Sequence, residues 1–253
     1  MRGFLFKNKA DFWGSPFSSL VHLSFIENIS VGTVKLSTEE SIHASKVLRL
    51  KNGDSINLTD GKGSSAVGII TAAAKKNVTI QVDEIHCESK NPYLLELAMA
   101  PTKSNDRFEL VLEKCTELGI ARIHPLLTFH SERRKLNMER SKKIVLSAMK
   151  QSQKIWLPEV MEPIKFNDFV QQDFEGDRIL AHCNADFNRA SLKAISQKKP
   201  TIICIGPEGD FSAEEISLAI EIGFKSAHMG SERLRTETAA LFATSIYHTV
   251  TSL

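Results

Sequence analysis

The chain has 253 residues, which at roughly 100–200 residues per domain is enough for two domains or one large one. Its 42% apolar and 25% charged residues fit an ordinary globular protein and exclude disordered, collagen-like and coiled-coil chains. With 32 Lys+Arg against 30 Asp+Glu the formal charge is only +2, so any case for a polyanionic partner must rest on a local patch.

Cys87, Cys115, Cys183 and Cys204 are far apart, with no CxxC pair and no His at zinc-finger spacing. Neither a disulfide framework nor a structural zinc is therefore expected, and a reducing cytoplasm fits best. No apolar run approaches the roughly 20 residues that span a bilayer. The N-terminal apolar groups are broken by Lys7, Lys9, Asp11 and Pro16, unlike a secretory signal. A cytoplasmic protein with no membrane partner and no metal is the expectation.

In chain order, residues 22–90 read as a small β-rich unit. Apolar or alternating runs at 56–58, 67–70 and 78–82 are separated by Gly53-Asp54, Asp60-Gly61 and the polar 75–77 segment, which are turn signals. A small barrel with one helix over 39–49 is the predicted packing. The segment SKNPY, 89–93, reads as a linker.

From residue 94 the rhythm becomes strand and helix in alternation. A buried strand over 94–100 precedes a helix on which Phe108, Val111, Leu112, Cys115 and Leu118 share a face, stopped by Gly119. IARIHPLL is strand-like, and a helix follows over 139–155. Strands are predicted at 178–183, 201–206 and 226–230, with helices at 212–223 and 238–250. This α/β alternation implies a parallel sheet covered on both faces.

Three features bear on chemistry. In TIICIGPEGDFSAEEI a buried strand ends at a Pro-Glu-Gly-Asp loop, and Ser212 with Glu215 forms a capping box whose hydrophobic staple is Phe211 and Ile216. A helix start just beyond a strand's carboxyl end is where open α/β sheets bind ligands. The loop carries Glu208 and Asp210 and lacks a P-loop or GxGxxG, so it suits an adenosine-type ligand with a positive group better than a triphosphate. In GSERLRTETAALFATSI a polar loop carries Arg233, Arg235 and Glu237 into a helix capped by Thr236 or Thr238, with Ala239, Phe242, Ala243 and Ile246 as its buried face. The third feature is a basic segment: residues 103–154 are net +6 and the remainder net −4. On the 139–155 helix Arg140, Lys143, Lys150 and Lys154 fall within one arc of about 80°, either a solvated face or a phosphate-binding stripe. The histidines form no ligand cluster, and His182 on its apolar strand reads as a satisfied core residue.

Four segments in this order, ESIHASKVLRLKNGDSINLTDGKG (40–63), PTKSNDRFELVLEKCTELGIARIHPL (101–126), IGPEGDFSAEE (205–215) and LRTETAAL (234–241), resemble the bacterial RsmE-type ribosomal RNA uridine N3 methyltransferases of the SPOUT superfamily. The resemblance spans about 22–253 and leaves residues 1–21 as an N-terminal extension. It implies a PUA-like β-barrel for RNA binding at 22–90, a SPOUT α/β methyltransferase domain with a deep trefoil knot at 94–253, and a homodimer. It also implies S-adenosyl-L-methionine as methyl donor to a uridine of small-subunit (16S) ribosomal RNA, free or in the assembled 30S particle. The family's cofactor loops fall on Ile205, Gly206, Pro207, Glu208 and Gly209, on Met229 and Gly230, and on Leu234, Thr236, Thr238 and Ala239. Two departures stand out: the family usually reads GPEGG where this chain has Gly209-Asp210, and Lys150 and Lys154 flank Gln151-Ser152 where the family usually has Glu and Arg.

Methyl transfer to uracil N3 would require loss of the N3 proton and stabilisation of the anionic ring. Arg235 is the expected anion stabiliser, with Glu237 either orienting it or accepting the proton. Arg49, Arg133, Arg134, Arg140, Lys143, Lys150 and Lys154 are the expected RNA-binding cations. The rival reading is a non-catalytic ribosomal RNA-binding module using the same basic surface.

Overall fold

The computed structural model describes residues 22–92 and 94–251, which divide into two units, one ending at Glu88 and one beginning at Ser89. The extension expected over 1–21 lies outside the described residues.

The first unit contains β1 (Leu23–Phe25), β2 (Gly32–Lys35), α1 (Thr38–Ile42), β3 (Ser55–Thr59), β4 (Ser64–Ala74), β5 (Asn77–Val82) and β6 (His86–Cys87). The strands order as β1-β3-β4-β5-β2 with β6 paired to β4, and every pairing except β1 with β3 is antiparallel. Period-two alternation turns Ala66 and Ile70 of β4 inward with Ile56, Leu58, Val78, Ile80 and Val82, and leaves Val67 and Ile69 outside. Gly68 is required by that packing, because a Cβ there would lie 2.3 Å from Ile80 Cγ2. The helix expected over 39–49 is shorter and divided. After α1, capped by Ser37 (Glu40 N to Ser37 Oγ 3.1 Å), the chain widens into a π-helical turn over His43–Val47. The Ser45 hydroxyl donates to the Ser41 carbonyl at 2.7 Å and competes for the acceptor an α-helical bond would use. Arg49 therefore lies beyond the helix, exposed and at φ +56°.

The second unit contains β7 (Leu95–Met99), α2 (Asn105–Leu118), β8 (Arg122–Leu127), α3 (Met138–Gln151), β9 (Glu159–Val160), β10 (Ile164–Lys165), α4 (Phe166–Val170), β11 (Asp177–Ala181), β12 (Ala190–Ser191), α5 (Leu192–Ile195), β13 (Thr201–Ile205), α6 (Ala213–Glu221), β14 (Lys225–His228) and α7 (Thr236–Thr251). Eight strands form one parallel sheet, β10-β8-β7-β13-β11-β14-β12, with β9 on β8. Alternation sorts its residues into two cores. Leu95, Leu97, Met99, Ile203 and Ile205 pack with α2, α3 and α7, whereas Ala98, Leu180, Ile202 and Cys204 pack with α4 and α6. The sheet is thus covered on both faces, as its continuous apolar strands require.

Three expectations need correction here. The helix predicted over 139–155 stops at Gln151: Gln153 sits at φ +56° and the Ser152 hydroxyl returns to the Ala148 carbonyl at 2.7 Å, so Lys154 is outside it. The buried face of α7 is Thr236, Ala239, Ala240, Ala243, Thr244 and Tyr247, while Phe242 is 44% exposed. Tyr247, not among the residues expected on that face, joins it because its hydroxyl donates to the Lys199 carbonyl at 2.7 Å and satisfies its polar end. The last predicted strand ends at His228, leaving Met229 and Gly230 in a loop.

Candidate active site

The parallel register brings Pro125, Met99, Ile205, Ala181 and Ala227 into one row at the carboxyl edge of the sheet. The loops that follow these strands therefore gather along that edge, the position where such sheets hold ligands. Hydrogen bonds tie them together. Ala100 N donates to the Ile205 carbonyl at 3.0 Å, Lys103 N to Glu208 Oε1 at 3.3 Å, and Arg133 Nη2 to the Lys103 carbonyl at 3.0 Å.

The loop at 206–210 is tightly built. Gly206 and Pro207 are buried, and a Cβ on Gly209 would come within 3.0 Å of His130. Asp210, where the resembling family has glycine, adopts φ +61°, a conformation Asp tolerates better than most side chains. Its carboxylate does more than fill the position: Oδ2 accepts from Cys183 N at 2.6 Å and Oδ1 from Phe211 N at 2.8 Å. The capping box expected from the sequence is present, with Glu215 N donating to Ser212 Oγ at 3.2 Å and Ser212 N to Glu215 Oε2 at 3.0 Å. Phe211 and Ile216 are both buried in the same core.

The start of α7 is built differently. Its first bond runs from Ala239 N to the Arg235 carbonyl at 2.8 Å, so Arg235 stands at the cap and Thr236, Glu237 and Thr238 form the first turn. Thr236 and Glu237 are buried; Arg235 and Thr238 are exposed and Leu234 is half-buried. Glu237, only 8% exposed, pairs with Arg107 of α2 (Nε to Oε1 3.5 Å), not with Arg235. Its Oε2 is buried and has no hydrogen-bond partner among the described residues. Of the two roles expected of Glu237, orienting Arg235 or accepting the proton, the ion pair present is neither: α2 supplies its partner, while the cation two positions before it is exposed to solvent. In the sequence Arg107 is only one charge among many, and nothing local sets it apart.

His182 also departs from expectation. It is 4% exposed at the end of β11, yet neither ring nitrogen has a partner among the described residues. Burial pushes its pKa down, with Arg189 acting in the same direction and Asp210 opposing, so the neutral ring is favoured. Phe187 meets the ring edge-on at 5.9 Å.

The expected basic stripe is not one surface. Arg140 is held by Glu109 (Nη2 to Oε2 2.7 Å), and Lys154 turns toward Gly119 and His248 beyond the helix. Lys143 is exposed on α3, Lys150 half-buried, Arg133 half-buried, and Arg134 exposed in the loop before α3. Among the described residues no group of three or more His, Cys, Asp or Glu is arranged to hold a metal ion.

A parallel sheet covered on both faces, with two helix starts at its carboxyl edge and, among the described residues, one buried carboxylate oxygen there without a hydrogen-bond partner, is an α/β architecture suited to holding a ligand at that edge. Residues 89–248 match the family described as RNA methyltransferase domain, and residues 36–83 match the RNA methyltransferase PUA domain. Among relatives, the chain is 32% identical over 226 residues to ribosomal RNA small subunit methyltransferase E of Synechocystis sp., covering 86% of this chain and 73% of that one. It is 31% identical to the protein of the same name from Rickettsia conorii, covering 83% and 87%. A solved ribosomal RNA small subunit methyltransferase E from Neisseria gonorrhoeae bound to S-adenosyl methionine superposes with TM-score 0.83 at 28% identity, over 91% of this chain and 98% of that one. The chain belongs to the ribosomal RNA small subunit methyltransferase E family.

Proposed function

We propose that the protein transfers a methyl group from S-adenosyl-L-methionine to N3 of a uridine in small-subunit (16S) ribosomal RNA. The observation that carries this reading is the buried Glu237 Oε2 at the start of α7, an acceptor without a donor among the described residues, on the edge where the loops after five strands gather. A buried acceptor is costly unless matched, and a ligand bearing hydroxyls, an amine and a positive sulfur can match it. The two unmatched nitrogens of His182 at the same edge add donor or acceptor capacity for a heterocyclic ligand. When bound, the cofactor supplies an electrophilic methyl group.

In this reading Ile205, Gly206, Pro207, Glu208 and Gly209 form one wall of the cofactor site, Met229 and Gly230 a second, and Leu234, Thr236, Thr238 and Ala239 a third. The exposed guanidinium of Arg235 faces the negative charge that develops on the uracil carbonyl oxygens once N3 is deprotonated. Glu237, held by Arg107, is the candidate proton acceptor. Arg49 in the first unit, and Arg133, Arg134, Arg140, Lys143, Lys150 and Lys154 in the second, are the candidate contacts to RNA phosphates. The reading extends to a SPOUT domain over 94–253 with a trefoil knot, a PUA-like barrel over 22–90, a homodimer and a cytoplasmic location.

The test is calorimetric titration with S-adenosyl-L-methionine followed by single-turnover methyl transfer to small-subunit particles and mass mapping of the product. Heat of binding, a raised melting temperature and a methyl group on uridine N3 are expected. RNA binding with neither cofactor heat nor transfer would establish the non-catalytic module instead. A methyl group at another atom would overturn the N3 assignment alone.

A further inference from the structure

The loop leaving β8 is anchored at every turn, yet it holds its largest apolar group in water. Thr128 N and Thr128 Oγ1 both lie 2.9 Å from Ser131 Oγ, and Ser131 N donates to the Thr128 carbonyl at 3.1 Å. Phe129 N donates to Glu215 Oε1 at 2.8 Å, and His130 Nδ1 lies 3.0 Å from the Asp210 carbonyl, so that nitrogen carries the proton. The backbone is thereby fixed to the start of α6 and to the 206–210 loop. Despite this, Phe129 is 72% exposed, more than any other large hydrophobic residue among those described. His130 meets it in a T-shaped contact, with centroids 5.0 Å apart and planes at 79°, and most of the Phe129 surface stays open to water.

The same loop carries cations: Arg134 and Lys135 are exposed and Arg133 is half-buried. The acids at the turn are engaged, Glu132 with Lys103 at 2.8 Å, Glu215 with the backbone N–H groups of Phe129 and Ser212, and Asp210 with those of Cys183 and Phe211. A protein–protein interface is depleted of charge at its core, whereas an exposed aromatic side chain with exposed cations in the same loop is what an unpaired nucleotide needs. Bases splayed from single strands stack on aromatic rings while adjacent phosphates meet Lys and Arg.

We propose that Phe129, braced by His130, is a stacking platform for one unpaired base of the RNA substrate, with Arg134 and Lys135 taking the flanking phosphates. The proposal rests on the reading of the chain as an RNA methyltransferase and adds where a nucleotide next to the target is held. Because the turn is fixed before binding, little ordering entropy opposes the stacking.

The test compares Phe129→Ala, Phe129→Leu and Phe129→Trp in the full chain, using transcribed small-subunit ribosomal RNA over a range of salt concentrations. Phe129→Ala and Phe129→Leu should weaken RNA affinity by roughly 5- to 100-fold with the log–log salt slope unchanged, and Phe129→Trp should retain it. Arg134→Ala with Lys135→Ala should instead flatten the slope by about 0.7 for each phosphate no longer neutralised. Melting temperature and S-adenosyl-L-methionine affinity should not move in any of them. Wild-type affinity in Phe129→Ala, or full rescue by Phe129→Leu, overturns the platform. So does a change of oligomeric state by sedimentation velocity, which would place the ring between two copies of the chain. If the wild-type protein transfers no methyl group to any RNA, the functional reading fails, whereas an active wild type with an unimpaired Phe129→Ala removes the platform alone.

Discussion

The two helices that begin at the carboxyl edge of the sheet are built on opposite principles. The start of α6 satisfies itself: Ser212 and Glu215 exchange hydrogen bonds, Asp210 clamps Cys183 and Phe211, and the spare oxygen of Glu215 takes Phe129 N. The start of α7 buries Glu237 with one oxygen unmatched and turns Arg235 out to solvent. A satisfied helix start is scaffold, because nothing further can bind without breaking a bond already made. An unsatisfied one is capacity for a ligand. The sharper sequence motif therefore carries a helix start that satisfies itself, and the weaker one carries a buried acceptor left open among the described residues.

The comparison breaks most visibly at Arg235. Arg235→Ala should lower single-turnover methyl transfer about 10²- to 10³-fold while thermal unfolding stays unchanged, the usual cost of removing one well-placed electrostatic donor. Near wild-type transfer would mean that the α7 start is scaffold as well.

The second test sets the scale of a purely structural loss. Glu96 on β7 is buried and accepts from Arg122 Nη1 at 2.9 Å, with His124 Nε2 at 2.7 Å. Burial alone would raise its pKa, but the bond to His124 and the charge of Arg122 outweigh it and hold the carboxyl below its ordinary value of 4.5. A folded-state pKa lowered in this way gives stability that is fully present above pH 4.5 and is lost as the pH falls through the lowered value. Glu96→Gln should cost about 1.5–3 kcal/mol at neutral pH. Its gap from the wild type should close on acidification, as measured by urea unfolding at a series of pH values.

Ser212→Ala should lower stability by about 0.5–2 kcal/mol through the missing cap, with turnover per folded molecule unchanged. A loss of turnover without a loss of stability would assign the α6 start to the site. The smallest effect is expected for Asp210→Gly. Two hydrogen bonds disappear, but glycine adopts φ +61° without strain, so the two contributions nearly offset and the melting temperature should shift by only a few degrees.

The sequence by itself determined the alternation of strands and helices in the second unit, the capping box at Ser212 and Glu215, and the four segments that mark the family. These features are local: period, cap and turn chemistry act over a few residues and are written where they act. It did not reveal β9, β10, β12 or α5, which have two to four residues each and too few positions to show a period. Nor did it reveal that the α3 cations part company, since Gln153 leaves the helix and Glu109 takes Arg140. Only the tertiary structure decided that Arg107, 130 positions before Glu237, would be its partner, and that His182 would be buried with neither ring nitrogen hydrogen-bonded among the described residues. Pairings of that kind depend on which loops the sheet's strand order brings together, and strand order is a property of the whole packed chain.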